Sequence, residues 1–481
     1  MMPVQYYQIG GFRAHWRGND FDNDNAAKHL MQKGVKLSDF SSTTGIHPNG
    51  ASALLLPASR SAAVIGRVRG RPYEAHMFLS LSPIEFAGPA SLAEKLKRLE
   101  SKKGGPKGAE PRDRSQANTQ YTAGGPRQST DGERRARFEH QRVLYQVLQE
   151  AIELEDYALA PAKSLYRCRI CAFAFNLWAA DTRVLPDRHA EPQMLDIGWT
   201  EFDAPSQEGD LTPASTTHVV IEEGRLYKNH GKRPATLPDV TQTLTLKECS
   251  RLLKELLTPE ENERRDQPIL FLVHNATWAK SVLRALGVDA NQWKGGVSDL
   301  LYSARSAPRL AGGVPESGRA AKTRSRSRSP QWREALVGGR ARSPHRREQP
   351  AVHLVDVREL YECVMHVPKE GDTVRATARA LNVKDDEREA VDGLCAGTES
   401  RLVGLAWEAM AMDTAVDEQR AIRLKFHNHD AAMPPMPPMP PAGAGDADEE
   451  VDPNDIIPSG RAQGAPGPSF DYDDLTDSDF E

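Results

Sequence analysis

The chain has 481 residues, a mass of 53.1 kDa, a mean hydropathy of −0.58 and an aromatic share of 6%, so it is long enough for two or three domains but too polar to pack throughout. Five scattered cysteines, Cys168, Cys171, Cys249, Cys363 and Cys395, exclude a disulfide scaffold. No apolar run reaches the length of a membrane span, and the first residues lack the basic and hydrophobic stretch of a secretory signal, so the expected setting is intracellular with no membrane partner.

Residues 1–100 form a poorly defined N-terminal region. The runs Ala51–Ser59, Ala62–Gly70 and Ala75–Ser82 look like short strands or a hairpin, so a small subdomain is open there, without assignable chemistry. Residues 101–134 are rich in Lys, Arg, Gly, Pro, Gln and Ser and read as a disordered basic linker. Val143, Leu144, Val147, Leu148 and Ile152 recur at helical spacing and predict a helix over Phe138–Tyr157. The main domain is expected over residues 160–425. Near its start Cys168 and Cys171 make a C-x-x-C. A structural zinc site needs four ligands, no second pair follows, and alternation along a strand points the two thiols to opposite faces, so both are read as small buried residues.

Further along, Thr245 and Glu248 form a capping box ahead of the apolar face Leu252, Leu253, Leu256 and Leu257, which predicts a helix. The uninterrupted apolar run PILFLV predicts a central strand covered on both sides, and Gly287 is placed to end the following helix. The domain is then interrupted at 303–350 by an Arg/Ser-rich insertion expected to be disordered. Its eleven arginines and Lys322 face only Glu316, Glu334 and Glu348, a local charge near +9. Residues 430–481 are a Pro-rich and acidic tail, also expected to be disordered, with twelve acidic residues from Asp446 onward against Arg461. The net charge of −5 therefore averages a basic insertion and an acidic end.

Six segments carry a resemblance: RICAFAFNLWAAD, MLDIGWTEFD, THVVIEEGRLYKN, PILFLVHNATWAKSVLRALGV, AVHLVDVRELYE and LCAGTESRLVGLAWEAMA. Together, over roughly residues 165–425, they resemble the ribonuclease H-like, DEDD-exonuclease-type domain of the fungal Gfd-like C-terminal domain family. The resemblance implies an α/β fold, a mixed sheet flanked by helices. The family's first strand reads approximately A-h-D-F-E-L-W-E-R-D, and its carboxylate pair falls on Ala174 and Asn176. Its second-motif aspartate falls on Ala279, within the stretch beginning His274-Asn275-Ala276. In the final H-N-A-G-N-D-A stretch the histidine falls on Leu394 and the aspartate on Glu399.

Two-metal phosphodiester hydrolysis needs several carboxylates holding two divalent cations, and one carboxylate does not suffice. Loss of the histidine also removes the usual general base. The expectation is therefore a degenerate exonuclease with no catalytic residue and no metal ligand, Mg²⁺ or Mn²⁺ entering only if the alternative of an active 3′–5′ exonuclease holds. Asp181, Asp196, Asp203, Asp289, Asp299 and Asp356 lie nearby and offer other registers, although at Asp356 the family has an aspartate without a metal role.

The function expected is non-catalytic nucleic-acid binding, with RNA or another single strand as the favoured partner. Arg324, Arg326, Arg328, Arg340, Arg342, Arg346 and Arg347 supply backbone charge, and Trp332 a stacking surface. Arg-Ser dipeptides also serve nuclear targeting and phosphorylation, at Ser325, Ser327, Ser329 and Ser343, which points to the nucleus, alone or with the cytoplasm. The third reading is a protein-interaction scaffold whose Pro-rich and acidic tail recruits protein partners.

Overall fold

A computed structural model describes residues 4–10, 42–59, 72–96, 127–159, 165–258, 267–302, 350–365, 373–383 and 395–423, apart from a few positions within those spans. All lie in one unit covering residues 1–427. The run Ala62–Gly70, most of the basic linker, the Arg/Ser-rich insertion and the acidic tail fall outside the described residues.

Two sheets are present among these residues. The first contains β1 (Gln5–Gly10), β2 (Ser42–Ile46), β3 (Ser52–Pro57), β4 (Tyr73–Glu74) and β5 (Ser80–Ile84) in the order β4-β1-β3-β2-β5, every pair antiparallel. One cluster on this sheet gathers Tyr6, Leu55, Phe78 and Leu81 against Tyr157. After β5 come α1 (Pro89–Leu96) and α2 (Arg127–Leu148).

The second sheet contains β6 (Arg169–Leu177), β7 (Met194–Asp203), β8 (Thr212–Ile221), β9 (Thr241–Leu244), β10 (Ile269–Val273), β11 (Lys294–Gly295) and β12 (Val352–Asp356), in the order β11-β12-β10-β6-β7-β8-β9. β6, β7 and β8 form an antiparallel meander, while β10 and β12 run parallel to β6. The helices are α3 (Leu185–Ala190), α4 (Leu246–Leu257), α5 (Ala276–Ala285), α6 (Ser298–Leu301), α7 (Val357–Met365), α8 (Val374–Ala380) and α9 (Ala396–Ala411), followed by helical residues 416–423.

Strand alternation sorts the core into two layers. From β6 and β10, Ile170, Ala172, Leu270 and Leu272 join α2, α7 and α9 through Leu144, Leu360 and Trp407. The alternate residues Cys171, Phe173, Phe271 and Val273 meet α4 and α5 through Leu253, Ala279 and Val282. The chain is thus α/β with a mixed sheet covered by helices on both faces, as expected. β10 is buried at all five positions because it has a neighbour on each edge and helices on each face.

The local signals act as anticipated. Thr245 and Glu248 form the reciprocal capping box of α4, and Gly287 takes φ +72° just past α5, a backbone region that side chains with a Cβ rarely enter. Cys168 and Cys171 lie in the two clusters on opposite faces of the sheet.

The helix expected over Phe138–Tyr157 is displaced. α2 starts at Arg127, inside the stretch read as linker, and ends at Leu148, and Glu150 then turns with φ +54°. The reason is tertiary: Arg135 and Arg142 of α2 are buried and paired, so charges that composition counts as solvated pack inside.

Candidate functional site

The N-terminus of α9 lies on the surface of β7 and β8, and the sequence permits this by omitting side chains. A Cβ at Gly198 would stand 2.5 Å from the backbone carbonyl carbon of Ala396, and one at Gly397 would stand 2.8 Å from Cβ of His218. Ala172 and Ala174 keep β6 low on the same face. This approach places Glu399, in the first turn of α9, over the end of β6.

There Asn176 Nδ2 donates to Glu399 Oε2 at 2.9 Å, and Arg375 of α8 brings Nε to 4.0 Å from Glu399 Oε1. Asn176 pairs in register with Asp196 of β7, whose side chain is fully buried. Asp196 Oδ2 accepts from the backbone N–H of Ala396 and from His218 Nε2, each at 2.8 Å, while Oδ1 is buried without a hydrogen-bond partner. His218 Nδ1 shares a hydrogen bond with Thr241 Oγ1 at 2.9 Å and lies 3.9 Å from Sγ of Cys395, the N-cap residue of α9.

The electrostatics follow from burial. Glu399 is pushed up to about 8, first by removal from water and then by the neighbouring Asp196 carboxylate, the Asn176 hydrogen bond opposing weakly. Burial alone would lower His218, but its hydrogen bonds to Asp196 and Cys395 overcome this and raise it to about 9. Burial opposes ionisation of Cys395, yet the adjacent His218 brings its thiol below the ordinary value.

The positions expected from the sequence are distributed unevenly. Asn176 and Glu399 meet directly, and Ala174 sits two residues before Asn176 on the same strand face. Ala279 is fully buried in the apolar cluster on the opposite face, beside Phe173 and Phe271. Leu394 and the seven arginines Arg324, Arg326, Arg328, Arg340, Arg342, Arg346 and Arg347 lie outside the described residues, as does Trp332. Asp356 has a capping role: Oδ2 accepts from Ala276 N–H at 2.7 Å and Oδ1 from Glu359 N–H at 3.1 Å, joining the starts of α5 and α7. Asp181 pairs with Arg183, Asp289 accepts from Asn291 N–H, and Asp299 faces Lys294.

The residues present do not suit a pair of Mg²⁺ or Mn²⁺ ions. Ala174 and Ala279 offer no oxygen and Asn176 offers an amide where a carboxylate would stand, so Glu399 is the one acidic side chain among these four positions. Among the described residues no group of three or more His, Cys, Asp or Glu is arranged to hold a metal ion.

His218, Cys395 and Arg375 were missed from the sequence. The one signal was a histidine inside the apolar strand run THVVI, which alone reads as an ordinary strand residue. Compared with models of known protein families and with curated proteins, the chain has no match.

Proposed function

We propose that this chain is a non-catalytic nucleic-acid-binding protein, with single-stranded RNA as the favoured ligand, built on a degenerate exonuclease-like domain of ribonuclease H-like type. The strand order supports the fold reading: β8-β7-β6 antiparallel, continued by β10 and β12 parallel to β6, with crossover helices between, is the arrangement that plan requires. The observation that carries the loss of catalysis is the Asn176–Glu399 hydrogen bond. An amide donates to Glu399 where a carboxylate pair would have to hold cations.

Affinity on this reading comes from the +9 insertion, whose arginines neutralise phosphates with little sequence preference. Its Arg-Ser dipeptides also suit nuclear targeting, and the acidic tail suits a basic protein partner. The test uses the full chain with end-labelled single-stranded RNA. Expected are no shortening of the label with Mg²⁺ or Mn²⁺, and binding that weakens steeply with salt and is largely lost when residues 303–349 are deleted. Metal-dependent cleavage that disappears in Glu399→Ala would establish the exonuclease instead. Binding unaffected by the deletion would remove the insertion from the account.

A further inference from the structure

We infer that the loop over residues 224–234, together with Trp178 at the exit of β6, is a contact site for unpaired bases of single-stranded RNA. The inference rests on the nucleic-acid reading above and adds a folded surface to the arginines of the insertion. The loop lies between β8 and β9, and its sequence GRLYKNHGKRP holds Arg225, Lys228, Lys232 and Arg233 and no acidic residue. Arg225 comes within 4.0 Å of Glu222 just before the loop. Lys228, Lys232 and Arg233 are exposed and form no ion pair among the described residues.

The loop is pinned across the end of β6 by Asn229. That buried side chain accepts at Oδ1 from the Ala179 N–H and donates from Nδ2 to the Leu177 carbonyl, each at 2.8 Å. Its backbone exchanges two hydrogen bonds with Lys232, at 3.0 and 2.9 Å, which closes the turn. Beside this anchor the Trp178 ring stacks on Tyr227, with centroids 4.5 Å apart and planes inclined by 20°. Both rings are half-buried, and the adjacent Leu226 is 79% exposed, so apolar surface stands open in the same loop as the cations. The pair lies at the same end of β6 as the Asn176–Glu399 contact.

Aromatic faces bordered by lysine and arginine fit a base with its phosphate: rings take any base by stacking, and cations take the backbone. Bases already paired and stacked in a duplex offer no free face. The other stacked pair of this region makes the contrast. His189 lies 3.9 Å from Trp278, and Arg188 lies 5.5 Å from the centre of that ring, so protein groups already attend it. Among the described residues no third ring and no guanidinium lies over Trp178 or Tyr227. The attachment of the loop rests on the Asn229 hydrogen bonds, which leaves the half-exposed rings available.

The experiment measures the affinity of the full chain for a short labelled single-stranded RNA and for the same strand annealed to its complement. Tyr227→Ala, checked for native circular dichroism, should weaken single-strand binding about five- to tenfold at low and high salt alike and leave duplex binding unchanged. Tyr227→Phe, which keeps the ring face, should bind as the wild type does. Replacing Lys228, Lys232 and Arg233 together by Ala, all on the surface, should lower the slope of log affinity against log salt by about two, at about 0.7 for each phosphate of a single strand. An unchanged slope in that variant overturns the inference by itself, whether or not Tyr227→Ala folds. If the wild type binds RNA and the ring and charge variants bind equally well, the inference fails and the proposed function stands. A wild type without RNA affinity overturns both. Weakening by the charge variant alone would mark a surface for any polyanion, an acidic peptide included, and would overturn the assignment to bases.

Discussion

Two buried polar clusters in this protein handle charge in opposite ways. One joins the first sheet to the second through α2 and residues 413–420. Arg135 Nη2 donates to Asp417 Oδ1 at 2.6 Å, Lys95 and Ser52 reach the same carboxylate, and Glu139 accepts from Ser82 Oγ, Arg142 Nη1 and the Val416 N–H. Burial works against the Asp417 charge, but Arg135, Lys95 and Arg420 outweigh it and hold its carboxyl below the usual range. The other cluster, at the start of α9, has Asp196 and Glu399 close together with Arg375 only at 4.0 Å, and Glu399 rises to about 8. Cations matched to acids make a clamp. An acid left without a close cation, as Glu399 is while Asp196 holds His218, makes a site whose protonation responds to conditions.

The largest expected break is in the clamp. Asp417→Ala removes the carboxylate partner of buried Arg135, leaving Lys95 to Glu418, and should cost about 3–5 kcal/mol in urea unfolding, with both sheets losing cooperativity together. A loss no larger than that of a surface substitution would mean the cluster is hydrated and not a clamp. A comparable cost is expected for Ala279→Asp, which buries a charge among Phe173, Phe271 and Val282 and should lower the melting temperature instead of creating a metal ligand.

The pH dependence separates the clusters by sign. Glu399 and His218 have folded-state values raised above their unfolded ones, so their stabilisation is complete below those unfolded values. It is lost as pH rises through about 8 and about 9. Asp417 is depressed, so its contribution is present above its unfolded value and lost as pH falls through the folded one. Glu399→Gln should therefore flatten the slope between about pH 4.5 and about pH 8 and gain about 1–3 kcal/mol near pH 8, leaving the slope above that range unchanged. An unaltered slope between those values in chemical denaturation would show that Glu399 is ionised in the fold. The smallest effect serves as a reference away from both clusters: Thr245→Ala should cost about 1 kcal/mol at every pH, by loss of the capping box at the start of α4.

Local rules in the sequence determined much of this molecule. Thr245 with Glu248, Gly287, the PILFLV strand and the alternation separating Cys168 from Cys171 each act within a few residues, so each was legible without the fold. The replacement of expected carboxylates at Ala174, Asn176 and Ala279 was equally open to reading, because identity at a position needs no geometry. Only the tertiary structure decided that α2 begins at Arg127, since its buried Arg135 requires Asp417 from a distant segment. It alone brought Asp196, His218, Cys395 and Glu399 together, from two strands and one helix start more than 170 residues away from His218. A pairwise interaction between side chains at such separation leaves no periodicity in the chain. What shifts their protonation is the combination of burial, which raises Glu399, and close partners, which raise His218 and lower Cys395, that arises when Gly198 and Gly397 let a helix settle onto a sheet.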